Sequence, residues 1–242
     1  MTYPYGVSFV IPCWNEEANI ADCLHAIYDE VRNYALRYEV IVVDNGCTDN
    51  TTVIAASTLR PLDKIVFEPR KGVVHARQAG ADLAQYRYLA NIDADNRIPL
   101  GWLKAALESM GPGVVAVSGP LVYSDVPSWV NIGARAFYVL ARVAHHLVGP
   151  MIQGGNFVIR KSTLEEMGGY DTRFDFYGED TCTAAKAQRF GKIKLVRAMH
   201  VSSSPRRLKG QGVLDTVFKY TLNYLSVSLR GHNVTKKYRD YR

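Results

Sequence analysis

Short runs of apolar, β-branched residues alternate along the first half of the chain with stretches in which apolar residues recur every three or four positions. The runs predict buried strands at residues 7–11, 38–43, 64–67 and 88–92. The intervening stretches predict helices, most clearly over residues 20–31 and 73–85. The order βαβαβαβ predicts an α/β fold with a largely parallel sheet, helices on both faces, and ligands at the carboxyl ends of the strands.

The second half of the chain is less regular. Strands are predicted at residues 114–118, 156–160 and 192–196, and helices at residues 101–110, 137–148, 162–167, 180–190 and 214–229. The helix over 137–148 contains Arg142, His145 and His146, which make it too polar to cross a bilayer. We expect it to pack on the protein, and a helix lying on a membrane surface is the alternative.

The composition is that of a folded globular protein. Of 242 residues, 48% are hydrophobic and 21% charged, which excludes a disordered or fibrous chain. No run approaches the roughly 18–20 apolar residues of a membrane span, and the N-terminus lacks a signal-peptide pattern, so we expect a cytoplasmic location. The cysteines form no CxxC pair and no metal-binding cluster, which predicts reduced thiols: Cys13, Cys23, Cys47 and Cys182.

The net charge of +6 is concentrated near the C-terminus. From Pro205 onward there are nine Lys or Arg against two Asp, a net charge of +7, whereas the first 204 residues carry −1. A basic end on a nearly neutral body predicts an anionic partner such as pyrophosphate, an acidic lipid surface or nucleic acid. A solvated charged tail is the alternative for the last six residues.

Polar residues follow three of the predicted strands. Asn15 and Glu16 follow the first, Asp44 the second, and Asp93-Ala94-Asp95 the fourth. Because alternate residues of an extended segment point the same way, the two aspartates can face one Mg²⁺ or Mn²⁺ ion that bridges phosphate oxygens. An isolated pair of this kind is also common among solvated loop carboxylates, so the neighbouring polar groups matter to this interpretation.

Two further carboxylate positions favour a site. Asp44 precedes a polar turn that enters a helix, and its carboxylate could accept hydrogen bonds from a base or ribose. Glu179 and Asp180 follow Gly178 at a predicted helix start. Capping is the alternative there, since an acidic residue in the first turn gains about 0.3–1 kcal/mol from the helix dipole.

Seven segments together resemble glycosyltransferase family 2, in the order that family has them over roughly residues 5–207. They are VIPCWNEE (10–17), VVDNGCTDNT (42–51), KG (71–72) with ARQAG (76–80), DAD (93–95), GGNF (154–157), GGYD (168–171) and GED (178–180). The resemblance implies a GT-A fold, a Rossmann-like, mostly parallel sheet flanked by helices. It divides the chain into a catalytic domain at 1–212, with a nucleotide-binding half at 1–95 and an acceptor half at 96–212, and a basic amphipathic helix and tail at 213–242.

The resemblance also implies roles for individual residues. Asp95 and Asp93 would bind Mn²⁺ or Mg²⁺, and His200 is either a third ligand or a structural histidine. Asp180, beside Glu179, would be the general base that takes the proton of the acceptor hydroxyl. The residues expected to bind the nucleotide sugar are Pro12, Asn15, Glu16, Asp44, Lys71, Arg77, Asp93, Asp95, Arg206 and Arg207.

The activity implied is metal-dependent transfer of a sugar from a nucleotide sugar, with UDP favoured, and with inversion at the anomeric carbon. The processive members' Gln-x-x-Arg-Trp motif is absent, since Gln211 is followed by Gly212 and Val213, which favours transfer of one sugar. Asn96 and Lys71 depart from the family pattern, where Asp and Asn are frequent, so contacts beside the metal and the base are less firmly predicted.

The implied acceptor is a saccharide or a lipid-linked molecule, and no nucleic acid is expected. An anionic membrane surface could contact the basic tail at the inner face of the membrane, and a homodimer is a further expectation. Two alternatives stay open: a haloacid-dehalogenase-type phosphatase with Asp93 as nucleophile, and a non-catalytic sugar-nucleotide binding module.

Overall fold

The computed structural model describes residues 5–174 and 177–235. The strands within these ranges are β1 (Val7–Cys13), β2 (Tyr38–Asp44), β3 (Lys64–Phe67), β4 (Tyr88–Ile92), β5 (Asn96–Arg97), β6 (Val114–Ser118), β7 (Leu121–Tyr123), β8 (Asn156–Arg160), β9 (Lys192–Leu195) and β10 (Val201–Ser203). The helices are α1 (Ile20–Val31), α2 (Thr51–Thr58), α3 (Val73–Leu83), α4 (Trp102–Ser109), α5 (Ser128–Leu147), α6 (Lys161–Glu166), α7 (Glu179–Ala187), α8 (Arg206–Gln211) and α9 (Val213–Arg230).

Seven strands form the central sheet in the order β3-β2-β1-β4-β8-β6-β9. β1 is parallel to β2 and β4, β2 is parallel to β3, and β6 is parallel to β9. β8 runs antiparallel to its neighbours β4 and β6. The prediction of an α/β fold with a mostly parallel sheet is therefore confirmed, with β8 as the antiparallel strand.

The register of the sheet brings the predicted polar positions to one edge. Cys13, the last residue of β1, pairs with Asp44, the last residue of β2. Ile92, the last residue of β4, pairs with Asn156, the first residue of β8. The loops that carry Asn15, Asp44, Asp93 and Asp95 consequently leave the sheet at the same edge.

Helices cover both faces of the sheet because the strands are apolar on both sides. Phe9 and Ile11 of β1 belong to one buried core, with α1 and with Trp102 of α4. Val10, between them, points to the other face and belongs to a second core, with Val74 of α3. A sheet buried on both faces requires apolar residues at every position, which is the pattern of continuous runs in the sequence.

A three-stranded sheet with the order β5-β10-β7 was not predicted. Its strands are two or three residues long, which is too short for a hydrophobic period to show. β10 is antiparallel to β5, so that Ser203 pairs with Asn96. This pairing brings the start of α8, three residues after Ser203, close to Asp95.

The last described helices lie beside the carboxyl edge of the sheet. α9 packs against α7 and α8, and the hydroxyl of Tyr224 in α9 donates to the carbonyl oxygens of Ala144 and Gly149 at the end of α5. α5 begins nine residues before the predicted helix and leaves many of its apolar side chains exposed. No helix in the described ranges is both long and apolar enough to cross a membrane.

Part of the predicted tail cannot be compared with the structure. The basic residues Lys236, Lys237, Arg239 and Arg242 lie outside the described residues. The proposed division of the chain at residue 212 stays a prediction, and α9 on its far side packs on the helices that precede it.

Candidate active site

A cavity of about 950 Å³ opens at the carboxyl edge of the sheet. Among the described residues, the charged side chains that line it are those of Glu16, Lys71, Asp93, Asp95, Arg206 and Arg207. Pro12, predicted to bind the nucleotide, lines it as well, and so does Gly154, whose N–H donates to Asp180. The structure thus gathers side chains from distant parts of the chain around one space.

Asp44 holds the turn after β2 and does not line this cavity. Its Oδ1 accepts hydrogen bonds from the backbone N–H groups of Gly46 (3.0 Å) and Cys47 (2.7 Å). Its Oδ2 accepts a longer bond from the hydroxyl of Thr52 (3.3 Å). The carboxylate therefore stabilises the turn, and Asn45 beside it is the residue of this turn that reaches the cavity.

Asn15 connects the loop after β1 to the same turn. Its backbone lies in the left-handed region (φ 53°), which Asn tolerates better than most residues. Its side-chain oxygen accepts a hydrogen bond from the N–H of Thr48 at 2.8 Å. Asn15 thus shapes the cavity wall rather than lining it.

Trp14 and Lys71 form one end of the cavity. The Nζ of Lys71 donates to the carbonyl oxygens of Asn45 (3.0 Å) and Gly46 (2.9 Å) and lies 4.6 Å from the centre of the Trp14 ring. A planar aromatic face beside a cation suits a nucleobase and its attached phosphates. Trp14 belongs to the VIPCWNEE segment but had no predicted role, and its position next to Asn15 was the available signal.

Asp93 and Asp95 follow β4 and face different partners. Asp95 Oδ2 lies 3.1 Å from Arg206 Nη2, and the same guanidinium also pairs with the buried carboxylate of Glu16 (2.8 Å from Nη1 to Oε2). Burial raises the pKa of Asp95 to about 6, although Arg206 favours the charged form. These oxygen donors fit a hard divalent cation, which prefers carboxylates and phosphate oxygens.

The predicted third metal ligand does not join them. His200 follows the 3₁₀ turn Arg197–Met199, is exposed, and does not line the cavity. Within the described residues, no three His, Cys, Asp or Glu side chains are arranged to hold a metal. The prediction of His200 as a ligand therefore rests on the resemblance alone.

Arg77 connects Asp93 to Glu179, the neighbour of the predicted base Asp180. This buried guanidinium donates from Nη1 to Glu179 Oε1 at 2.8 Å and from Nη2 to Asp93 Oδ1 at 3.0 Å. Burial opposes its charge, but the two carboxylates outweigh that effect and raise the pKa of Arg77. Arg77 and Glu179 do not line the cavity, and Arg77 contacts Asp93, which does.

Asp180 lies in the first turn of α7, directly behind Gly154. Its Oδ1 accepts a bond from the N–H of Thr181 (2.7 Å), and its Oδ2 accepts a longer one from the N–H of Gly154 (3.3 Å). Burial raises the pKa of Asp180, and burial together with Asp180 raises the pKa of Glu179 to about 7. Groups with raised pKa values in a cleft are candidates for proton transfer.

The Gly154-Gly155 pair lets these carboxylates approach. A Cβ on Gly155 would lie 2.1 Å from the carboxyl group of Asp93, and Gly155 has φ 71°, which favours glycine. A Cβ on Gly154 would lie 3.1 Å from Glu179 Oε1. The two glycines therefore bring the start of β8 between Asp93, which follows β4, and the acidic turn of α7.

All four cysteines are free thiols, as the sequence predicted. Cys13 and Cys23 are buried, and Cys13 lies in the wall of the cavity. Burial raises the pKa of both, which keeps them protonated and unreactive.

Taken together, the fold and the site define a nucleotide-sugar glycosyltransferase. Residues 8–168 match the model of the family described as Glycosyl transferase family 2, and the chain belongs to that family. An uncharacterized glycosyltransferase of Mycobacterium tuberculosis is 31% identical over 189 residues, covering 75% of this chain and 80% of the relative. The chain is thus an enzyme, and neither the phosphatase nor the non-catalytic module is favoured.

Solved structures show the same architecture. The mannosyltransferase PcManGT from Pyrobaculum calidifontis, in complex with GDP-Man and Mn²⁺, is 27% identical with a TM-score of 0.68, covering 83% of this chain and 57% of its own. Glucosyl-3-phosphoglycerate synthase from Mycobacterium tuberculosis, in complex with Mn²⁺ and UDP-glucose, has a TM-score of 0.64 at 20% identity, covering 92% and 80%. The second comparison concerns the fold alone, and the chain spans little more than half of the mannosyltransferase.

Proposed function

We propose that this glycosyltransferase moves a single sugar from a nucleotide sugar, with UDP as the predicted nucleotide, to an acceptor hydroxyl with inversion, and that Asp180 is the general base. The observation that carries the proposal is the placement of Asp180 behind Gly154 at the cavity wall. Arg77 ties the same turn of α7 to Asp93. Asp180 does not itself line the cavity; it accepts a hydrogen bond from Gly154, which does, and Arg77 links its turn to Asp93, which also lines it. Catalysis by positioning needs carboxylates held in such a fixed arrangement, which supports the proposal.

The donor would lie along the charged part of the cavity. Trp14 and Lys71 offer a stacking face and a cation for the nucleotide, and Arg206 and Arg207 offer guanidinium groups to the pyrophosphate. The solved mannosyltransferase carries a nucleotide sugar together with Mn²⁺, which supports the same class of donor here.

A divalent cation, Mn²⁺ or Mg²⁺, would be held by Asp95 and Asp93. When bound, it supplies positive charge that offsets the negative charge growing on the leaving nucleoside diphosphate. Arg206, which pairs with Asp95 and Glu16 in the described structure, would then be available to the diphosphate.

Asp180 would take the proton of the acceptor hydroxyl as that oxygen attacks the anomeric carbon. The N–H groups of Gly154 and Thr181 orient its carboxylate. Its raised pKa brings the group closer to the operating pH, where a general base is most effective. A base opposite the leaving diphosphate produces inversion.

The substitution Asp180→Asn tests this proposal. We expect the variant to bind UDP with Mn²⁺ as the wild type does, measured by calorimetry, while turnover falls by about 10²–10⁴, the usual span for general acid–base catalysis. Asp171→Asn is the matched control, because Asp171 precedes α7 and pairs with the exposed Arg173. Near-normal turnover in Asp180→Asn would require another base.

A further inference from the structure

The cavity continues beyond the charged residues into a groove between α5 and α9. The α5 wall includes Trp129, Phe137 and Leu140, and the α9 wall includes Val213 and Val217. Nearly all the side chains that these two helices contribute to the cavity are apolar. The end of the cavity next to the donor site is thus charged, and the end between the helices is apolar.

α5 and α9 are joined beyond the groove, where the hydroxyl of Tyr224 in α9 contacts the carbonyl oxygens of Ala144 (3.1 Å) and Gly149 (2.7 Å) at the end of α5. In the N-terminal parts of the two helices, the side chains of Trp129 and Phe218 are mostly exposed. Exposed apolar patches of this kind on a soluble protein mark sites of interaction with apolar ligands, proteins or membranes.

The charge around the groove favours a lipid. α5 contains no Asp or Glu over its whole length, and Arg135 and Arg142 are exposed between its apolar positions. Arg207 lines the cavity near the start of α9 and donates to the hydroxyl of Tyr220 at 3.2 Å. An apolar groove with cationic groups at its borders is complementary to an aliphatic chain that carries a polar or anionic head.

We propose that the acceptor is a lipid-anchored molecule whose aliphatic chain lies between α5 and α9 while its head presents the reactive hydroxyl beside Gly154. The inference rests on the proposed transferase function and adds the class of acceptor. The groove and the proposed catalytic site are continuous, because Leu140 in the groove and Gly154 beside Asp180 line the same cavity.

Two leucines of α5 provide a matched pair of variants. Leu140 lines the cavity and is 66% exposed, whereas Leu147 is 80% exposed and lies outside it. Because both side chains face solvent, neither Leu140→Gln nor Leu147→Gln is expected to disturb folding. Gly133 offers a second pair, since an added Cβ there meets open space inside the cavity lining: Gly133→Trp would fill the groove and Gly133→Ala would not.

The experiment measures binding of octyl, decyl and dodecyl β-D-maltoside below their critical micelle concentrations, with maltose as the chain-free probe. We expect the dissociation constant to fall about fourfold for each added methylene that the groove buries. Leu140→Gln and Gly133→Trp are expected to raise the dissociation constant of dodecyl maltoside by about tenfold or more. Leu147→Gln and Gly133→Ala are expected to bind it as the wild type does.

A separate readout distinguishes this proposal from the proposed function. UDP binding in the presence of Mn²⁺ is expected to be unchanged in all four variants. If the wild type did not bind UDP, that result would contradict the proposed transferase function and not the proposed lipid groove. Affinity that is independent of chain length, or equal losses in Leu140→Gln and Leu147→Gln, would overturn the proposal. So would a wild-type dimer by light scattering that Leu140→Gln dissociates while alkyl binding stays unchanged, because a second copy would then cover the groove.

Discussion

Arg77 is expected to be the most consequential charged residue for stability. Its side chain is 3% exposed and pairs with Glu179, which is 12% exposed, and with Asp93, which is 37% exposed. Removing one partner of a buried ion pair costs about 3–5 kcal/mol, whereas a pair as exposed as the one with Asp93 contributes at most about 1 kcal/mol. Arg77→Met keeps the apolar stem and removes both pairs.

The loss of unfolding free energy in Arg77→Met should depend on pH. Burial and Asp180 raise the pKa of Glu179 to about 7, and loss of the guanidinium raises it further, so the variant can neutralise Glu179 by binding a proton. The folded variant then binds more protons than its unfolded chain, and its stability rises as the pH falls. We therefore expect a loss of about 3 kcal/mol at pH 8 and a smaller one at pH 6.

Urea unfolding followed by tryptophan fluorescence measures this loss, and about 3 kcal/mol corresponds to roughly 6–12 °C in thermal midpoint for a chain of this size. Arg173→Met is the matched control, because Arg173 makes a bidentate pair with Asp171 but is 84% exposed. Its loss is expected to stay below about 1 kcal/mol. Equal losses in the two variants, or less than about 1 kcal/mol for Arg77→Met at pH 8, would refute the reasoning.

Three further predictions concern the same site. The pKa of Asp95 is about 6 in the folded protein, against 3.8 in a free carboxyl group, so between these pH values the folded state keeps a proton that the unfolded chain has released. The metal-free protein should therefore lose stability as the pH rises from about 3.8 to about 6. Thermal unfolding in chelator should show a smaller loss of stability over this pH range in Asp95→Asn. In urea unfolding, Gly155→Ala should lower the free energy of unfolding by at least about 2 kcal/mol more than Gly212→Ala. Both glycines have positive φ, but only a Cβ at Gly155 would meet the carboxyl group of Asp93. Equal losses would contradict this close approach. Calorimetry should show that Asp95→Asn binds UDP with Mn²⁺ at least about tenfold more weakly than the wild type and that His200→Ala binds it equally well. The opposite result would identify His200 as the metal ligand.

Much of the fold could be predicted because burial leaves a periodic signature. The strands that form the sheet are continuous apolar runs, and Asp44, Asp93 and Asp95 follow them at positions that parallel pairing must bring to one edge. The short strands β5, β7 and β10 carry no such period. The first turns of α5 were missed as well, since Asn131 and Gly133 are weak helix formers.

The contacts inside the site were harder to predict. Arg77 and Glu179 are 102 residues apart in the chain, and no local pattern indicates that they pair. Asp44 does not reach the cavity because its carboxylate accepts hydrogen bonds from the N–H groups of the turn that follows it. Residue types and order therefore predicted the candidate residues, while tertiary packing decided which of them line the cavity.

The charges that line the cavity support the proposal that donor binding requires a cation. Within the described structure, the carboxylates of Glu16, Asp93 and Asp95 stand against the cations Lys71, Arg206 and Arg207, so the lining is close to neutral. A nucleoside diphosphate is an anion, and a neutral lining offers it little net attraction while the carboxylates repel it at short range. Two additional positive charges on a divalent ion beside Asp95 would shift this balance toward the anion and release Arg206 from its carboxylate partners. Donor affinity should therefore depend on the cation more strongly than on any one of the three basic side chains.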